Sequence, residues 1–142
     1  MQKYMEKEAE VIEWINNHPG QKWVDFEFPC NSSQFYEDAT NLPSWGSTLK
    51  TLEWKRPDEI IKDPKFMIVE EDKNGKSIEI DAKHGLFGAS WFIGALTIAG
   101  TKTSIIEKLI IEKDYFDKGF VSFQFFKNGS WVQVIVDTLL PY

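Results

Sequence analysis

The sequence predicts an α+β domain in which a central helix lies behind a glycine turn and packs with a second helix and an antiparallel hairpin. Three observations carry this. Apolar residues recur at helical spacing through residues 2–17. An uncharged stretch from Gly85 to Gly100 runs directly into a second helical pattern. Near the C-terminal end, two alternating segments flank Lys127-Asn128-Gly129-Ser130, a hairpin signal.

The first helix is carried by Tyr4, Met5, Val11, Ile12 and Ile15, with charges between them, and His18-Pro19-Gly20 ends it. The pattern leaves open whether its apolar stripe packs on its own domain or on a partner. Residues 21–53 read as irregular, punctuated by Pro29, Asn31-Ser32-Ser33, Pro43 and Gly46-Ser47. Trp23, Phe26, Phe28, Phe35, Tyr36 and Trp45 are expected to pin this stretch to the body, because a free linker is not this aromatic. Pro57 suits the first position of a helical turn over 57–63. Residues 66–69 and 77–80 read as short strands around Lys73-Asn74-Gly75-Lys76.

The uncharged helix is expected at about 90–99. It falls short of the ~20 apolar residues a membrane span needs, and its entry is rich in glycine, so a buried core helix is the expectation. In the helix after Gly100, Ser104 and Glu107 have the spacing of a capping box, and Ile105, Ile106, Leu109 and Ile110 form an apolar face. In the last hairpin, Asn128-Gly129 favours a type I′ turn. The resulting register sets Phe125 opposite Val132, Phe123 opposite Val134 and Val121 opposite Val136, all on one face. The other face pairs Gln124 with Gln133 and reads as the wetter one. The expected organisation is an N-terminal helix over 1–20, a packed arm over 21–53 and the main body over 54–142.

Composition narrows the function. The chain has 142 residues, 42% hydrophobic and 15% aromatic, enough for one domain with a real core and a surplus of aromatics for an interface. A net charge of −6 repels phosphate, which argues against nucleic acid and anionic membrane as partners. One cysteine, Cys30, and no apolar leader among the first residues point to a reducing, intracellular setting. Cys30 reads as a small packing residue, His18 as a helix-end residue, and Trp14 and Trp23 as anchors. The N-x-S steps at Asn31 and Asn128 read as chance.

Three stretches together resemble the calpain family of papain-like cysteine proteases. Glu53-Trp54-Lys55-Arg56-Pro57-Asp58-Glu59-Ile60 with Asp63-Pro64-Lys65-Phe66 is similar to the family's W-K-R-P-x-E-I then P-x-F. Asp81-Ala82-Lys83-His84-Gly85-Leu86-Phe87-Gly88-Ala89-Ser90-Trp91-Phe92 resembles its nucleophile motif, D-x-x-Q-G-x-L-G-D-C-W-F. Gly119-Phe120-Val121-Ser122-Phe123-Gln124-Phe125-Phe126, then Asn128-Gly129-Ser130-Trp131-Val132, Val136-Asp137 and Leu140-Pro141, is similar to its G-x-F-x-F-x-F-W hairpin closing on V-D-x-x-L-P. The motifs cover about 35–142 in the family's order and leave the first helix outside. The resemblance implies the first lobe of a papain-like core, whose other half supplies the general-base His and the Asn that orients it.

Within that resemblance the reactive positions are altered. Ser90 matches the nucleophilic Cys, His84 the oxyanion-hole Gln, and Ala89 the neighbouring Asp, while Trp91, Gly85 and Gly88 are kept. A thiol is drawn to thiolate by a helix N-terminus and a neighbouring His⁺; a hydroxyl is not, and needs a base during attack. Losing an oxyanion-hole donor costs ~10²–10³ in rate. A serine hydrolase built from Ser90 and His84 lacks an evident carboxylate to orient the imidazole and ranks lower. The family's core binds calcium, and Asp81 matches one ligand position. One carboxylate falls short of the six to eight oxygens calcium takes, so no cofactor is expected. Members without the reactive Cys occur among protists, some in cilia or flagella. The resemblance therefore implies an inactive, calpain-like subunit of a larger protein assembly in the cytoplasm, cytoskeleton or cilium. The alternatives are a half-protease completed in trans by a chain supplying His and Asn, and a regulator of a true calpain.

Overall fold

The computed structural model describes residues 2–36, 38, 40–41, 46, 51–72, 75–78 and 89–142. It comprises two compact units: residues 1–64 with 111–142, and residues 65–110.

The first unit is built on helix α1 (Gln2–Asn17) and the hairpin of β5 (Phe120–Lys127) and β6 (Ser130–Asp137). Val11 and Ile15 lie four residues apart and so share a helix face. They bury that face against Trp23, Phe120 and Ile135, with Ile12, Trp14 and Tyr115 around the edge. Each such side chain taken from water contributes about 1.5–3 kcal/mol. Val11 and Ile15 of this stripe therefore pack on their own domain, one of the two outcomes its periodicity left open. Gly20, at φ +84°, reverses the chain where His18-Pro19-Gly20 was expected to stop the helix.

The hairpin has the expected register. Phe125 faces Val132, Phe123 faces Val134, and Val121 faces Val136. Asn128 and Gly129 form the two-residue turn at φ +51° and +80°. The burial differs from expectation. Phe120, Ser122 and Ile135, on the face of Gln124 and Gln133, form the floor under α1; Phe120 and Ser122 are both 0% exposed. The reason is polar. The Ser122 hydroxyl donates to Glu8 of α1 at 2.9 Å, and the Gln133 amide donates to the same carboxylate. A helix that brings its own acceptor can cover a polar patch without leaving donors unsatisfied. Strand β4 (Ile110–Glu112) borders β5 in the order β4-β5-β6.

A second knot closes this unit around Arg56, which is 8% exposed. Its guanidinium donates to the carbonyl of Trp23 at 2.7 Å, to the Thr138 hydroxyl at 2.9 Å and to the carbonyl of Gly119 at 3.3 Å. Trp23 N–H donates to the Lys118 carbonyl at 2.8 Å, and Thr138 N–H to the Gly119 carbonyl at 3.1 Å. Gly119 sits at φ +93°, and a Cβ there would fall 2.8 Å from the Trp23 carbonyl oxygen, so only glycine fits. Asp137 accepts from the backbone N–H of Asp25 and of Leu139, each at 2.9 Å. The strands β1 (Trp54–Lys55) and β7 (Leu140–Pro141) pair antiparallel beside this knot. Helix α2 (Pro57–Ile60) begins at Pro57 as expected, with Glu59 reaching back to the Arg56 N–H at 2.5 Å.

The arm is pinned by fewer aromatics than expected. Trp23 is buried and Phe35 stacks on Trp54 at 5.8 Å, but Phe26 is 74% exposed and Phe28 also faces water. The knot holds the backbone just before these residues, at Trp23 and Asp25, so the chain is fixed there without their side chains. Trp45 lies outside the described residues.

The second unit holds β2 (Val69–Asp72), β3 (Gly75–Ile78), α3 (Ser90–Gly100) and α4 (Thr103–Leu109). The hairpin is present but displaced toward its turn relative to 66–69 and 77–80. Its register sets Glu71 opposite Lys76 and Asp72 opposite Gly75. The capping box at Ser104 does not form. Lys102, with extended backbone, is the N-cap residue, and the Ile105 N–H bonds its carbonyl at 2.9 Å, which moves Ser104 inside the helix. Ile106 is buried in α4, whereas Ile105 is exposed.

Arg56→Met removes three charge-assisted hydrogen bonds at once and takes from the Trp23 carbonyl its guanidinium donor. It should lower stability by about 3 kcal/mol, read from the urea unfolding midpoint. A midpoint equal to the parent's would mean the knot is not a structural node.

Candidate functional site

Helix α3 carries the residues expected to bear chemistry. Its first turn is closed by the Ala89 carbonyl, which accepts from the N–H groups of Phe92 and Ile93, each at 3.0 Å. Ala89 has no side-chain oxygen and makes no cap, so Ser90, the first helical residue, stands exposed at the start of the helix. The macrodipole places partial positive charge there, which would favour an anion. A thiol at this position would gain thiolate character from it, whereas an aliphatic hydroxyl stays protonated.

Trp91 follows, 78% exposed, its ring edge-on to Phe92 at 5.7 Å. Ile98 is 75% exposed two turns on, and no residue of α3 is buried. The uncharged helix expected as buried core is thus only half-buried at Phe92, Ile93 and Leu96 and exposed at Trp91 and Ile98. Ser90, Ala89 and Trp91 come together at the start of this helix. His84 and Asp81, with Gly85 and Gly88, lie outside the described residues. Among the described residues, no imidazole, carboxylate or amide is hydrogen-bonded to the Ser90 hydroxyl. Among them too, no three His, Cys, Asp or Glu side chains gather to hold a metal ion, and no helix is long and apolar enough to cross a membrane.

The other ionisable residues picked out in the sequence have structural surroundings. His18 stacks on Trp14 with ring centroids 4.3 Å apart, and its Nδ1 lies 2.7 Å from the Trp14 carbonyl oxygen at the end of α1. The half-buried Cys30 thiol points to Asp137, with Sγ 4.0 Å from Oδ2. Burial pushes this thiol up, the carboxylates of Asp137 and Asp25 add to the rise, and Arg56 opposes it. It is the reverse of an armed nucleophile.

Sequence reasoning passed over the residues that organise the first unit: Arg56, Gly119 and Asp137. Each was inside a quoted motif, and that was the available signal. The W-K-R-P segment supplies the guanidinium, the glycine opening the hairpin supplies the close approach to Trp23, and the V-D-x-x-L-P segment supplies the acceptor for Asp25.

Residues 23–142 match the sequence profile described as calpain family cysteine protease. The chain is 30% identical to the calpain-type cysteine protease DEK1 of Arabidopsis thaliana, over 99% of this chain and 6% of that protein. It is 30% identical to the calpain-2 catalytic subunit of Mus musculus, over 98% of this chain and 19% of the relative. The calpain-1 catalytic subunit of Gallus gallus is 26% identical over similar shares, 98% and 19%. The chain thus spans about a fifth or less of the length of these relatives. The alignments also take in helix α1, which the motif resemblance did not reach.

Cys30 should alkylate slowly with iodoacetamide at neutral pH. Its rate should keep climbing with pH beyond the point, near ~8.5, where an ordinary cysteine levels off. Fast labelling at neutral pH would show a thiolate that these surroundings do not favour.

Proposed function

The chain belongs to the calpain family of cysteine proteases, and from that premise we propose that it is a catalytically inactive member that works as an interaction subunit of a larger assembly. The observation that supports this reading is Ser90 at the first position of α3, where the resemblance of the motif through Trp91 leads one to expect the family's nucleophilic cysteine. His84 in place of the oxyanion-hole Gln and Ala89 in place of Asp extend the same trend. Meanwhile Arg56, Gly119 and Asp137 still build the structural knot of the first unit. Selection that keeps scaffold residues and discards reactive ones fits a protein valued for its shape.

A binding role also gives the exposed apolar side chains of α3 a use, since such surface marks interaction sites. Trp91 and Ile98 are the residues expected to meet a partner. The reading requires no calcium, because Asp81 alone does not make a site. A place in the cytoskeleton or a cilium goes with it as the cellular context.

Affinity purification of the native protein, with partners identified by mass spectrometry, tests the role. We expect a complex of fixed stoichiometry that Trp91→Glu weakens, since aromatic anchors dominate interface energetics. Recovery of this protein alone as a monomer would overturn it. A partner that presents a histidine to Ser90 would instead establish the half-enzyme reading.

A further inference from the structure

We propose that Asn128-Gly129, the two-residue tip of the β5-β6 hairpin, is a site of spontaneous covalent self-modification. The backbone nitrogen of Gly129 attacks the side-chain amide carbon of Asn128. The new C–N bond closes a five-membered imide, and the side-chain nitrogen leaves as ammonia. Water then opens the imide at either carbonyl, giving aspartate or isoaspartate. The net change is water gained and ammonia lost, with no oxidant or reductant required.

The tip is built to permit this attack. Both residues are exposed. Lys127 and Ser130 close the turn as a register pair, so the ladder uses their backbone groups and leaves the Gly129 N–H outside it. Nothing beyond its chain neighbours lies within 4 Å of where a Cβ on Gly129 would sit, so no other part of the chain packs on that side of the tip. Asparagine is among the thermolabile side chains for this reason. Asn17 offers a contrast, because the nitrogen that would attack it, on His18, is already bonded to the Ile15 carbonyl at 3.2 Å. Asn16 precedes a nitrogen inside α1. Asn31 precedes Ser32, whose side chain crowds the approach, at the start of a 3₁₀ turn over Ser32–Phe35.

The two products act differently on the fold. Aspartate keeps the backbone length and adds one negative charge at the tip. Isoaspartate routes the main chain through the β-carbon and lengthens a loop whose two residues set the register. The cross-strand pair above the turn, Phe126 and Trp131 at 5.5 Å, would then lose its alignment.

The test is incubation of the folded chain at mildly alkaline pH in heavy-oxygen water, followed by trypsin and mass spectrometry. Cleavage after Lys127 releases the segment Asn128 to Tyr142, in which Asn128 is the only asparagine. We expect this peptide to gain one acidic group carrying the heavy oxygen, resolved as separate aspartate and isoaspartate forms. The peptides holding Asn16, Asn17 and Asn31 should keep their amides, and Asn128→Gln should abolish the change in the C-terminal peptide. Survival of the Asn128 amide in the folded chain would overturn the proposal, whether or not the unfolded chain reacts. Conversion of Asn31 at the same rate as Asn128 would overturn it too.

Discussion

One buried cation organises the first unit. The guanidinium of Arg56 joins three parts of the chain remote in sequence: the start of the arm at Trp23, the bend at Gly119 and the strand exit at Thr138. A charge so far from water is tolerated only when its donors are met, and here two carbonyls and a hydroxyl meet them. The left-handed glycine follows from the same constraint, because the backbone of Trp23 occupies the space a side chain would need. Helix α1 then completes the unit by capping the hairpin with both an apolar stripe and the acceptor Glu8.

This node gives physical meaning to the family motifs of the first unit. The entry, hairpin and closing motifs of the calpain family look like separate signatures in sequence. In space they meet around Trp23 and Asp25, and their retained residues act on backbone geometry. Ser90 and Ala89 lie instead at the start of a helix in which no residue is buried.

Much of the fold was legible from local rules. The span of α1 follows from its 3.6-residue spacing and its Pro-Gly stop, and the last hairpin's register follows from Asn128-Gly129 alone. What could not be read were consequences of long-range partners. Alternation identified two faces of the hairpin but not which one α1 would cover, since that depended on a carboxylate more than a hundred residues away meeting Ser122. Aromatic content suggested that Phe26 and Phe28 were anchors, yet the backbone beside them is held by Arg56 and Asp137. The start of α4 turned on one residue of backbone conformation at Lys102. At the candidate site the positions of Ser90, Ala89 and Trp91 were readable from the motif. The exposure of α3 was not, because an uncharged helix looks the same in sequence whether a core or a partner covers it.

The decisive question is whether the hydroxyl at the head of α3 ever acts as a nucleophile. Hydrolysis of a fluorogenic peptide by the full-length native protein, with and without calcium and beside its Ser90→Ala form, answers it most directly. An inert scaffold gives no turnover above background under either condition and no difference between the two forms. Calcium-dependent or independent cleavage that disappears with Ser90→Ala would contradict the account.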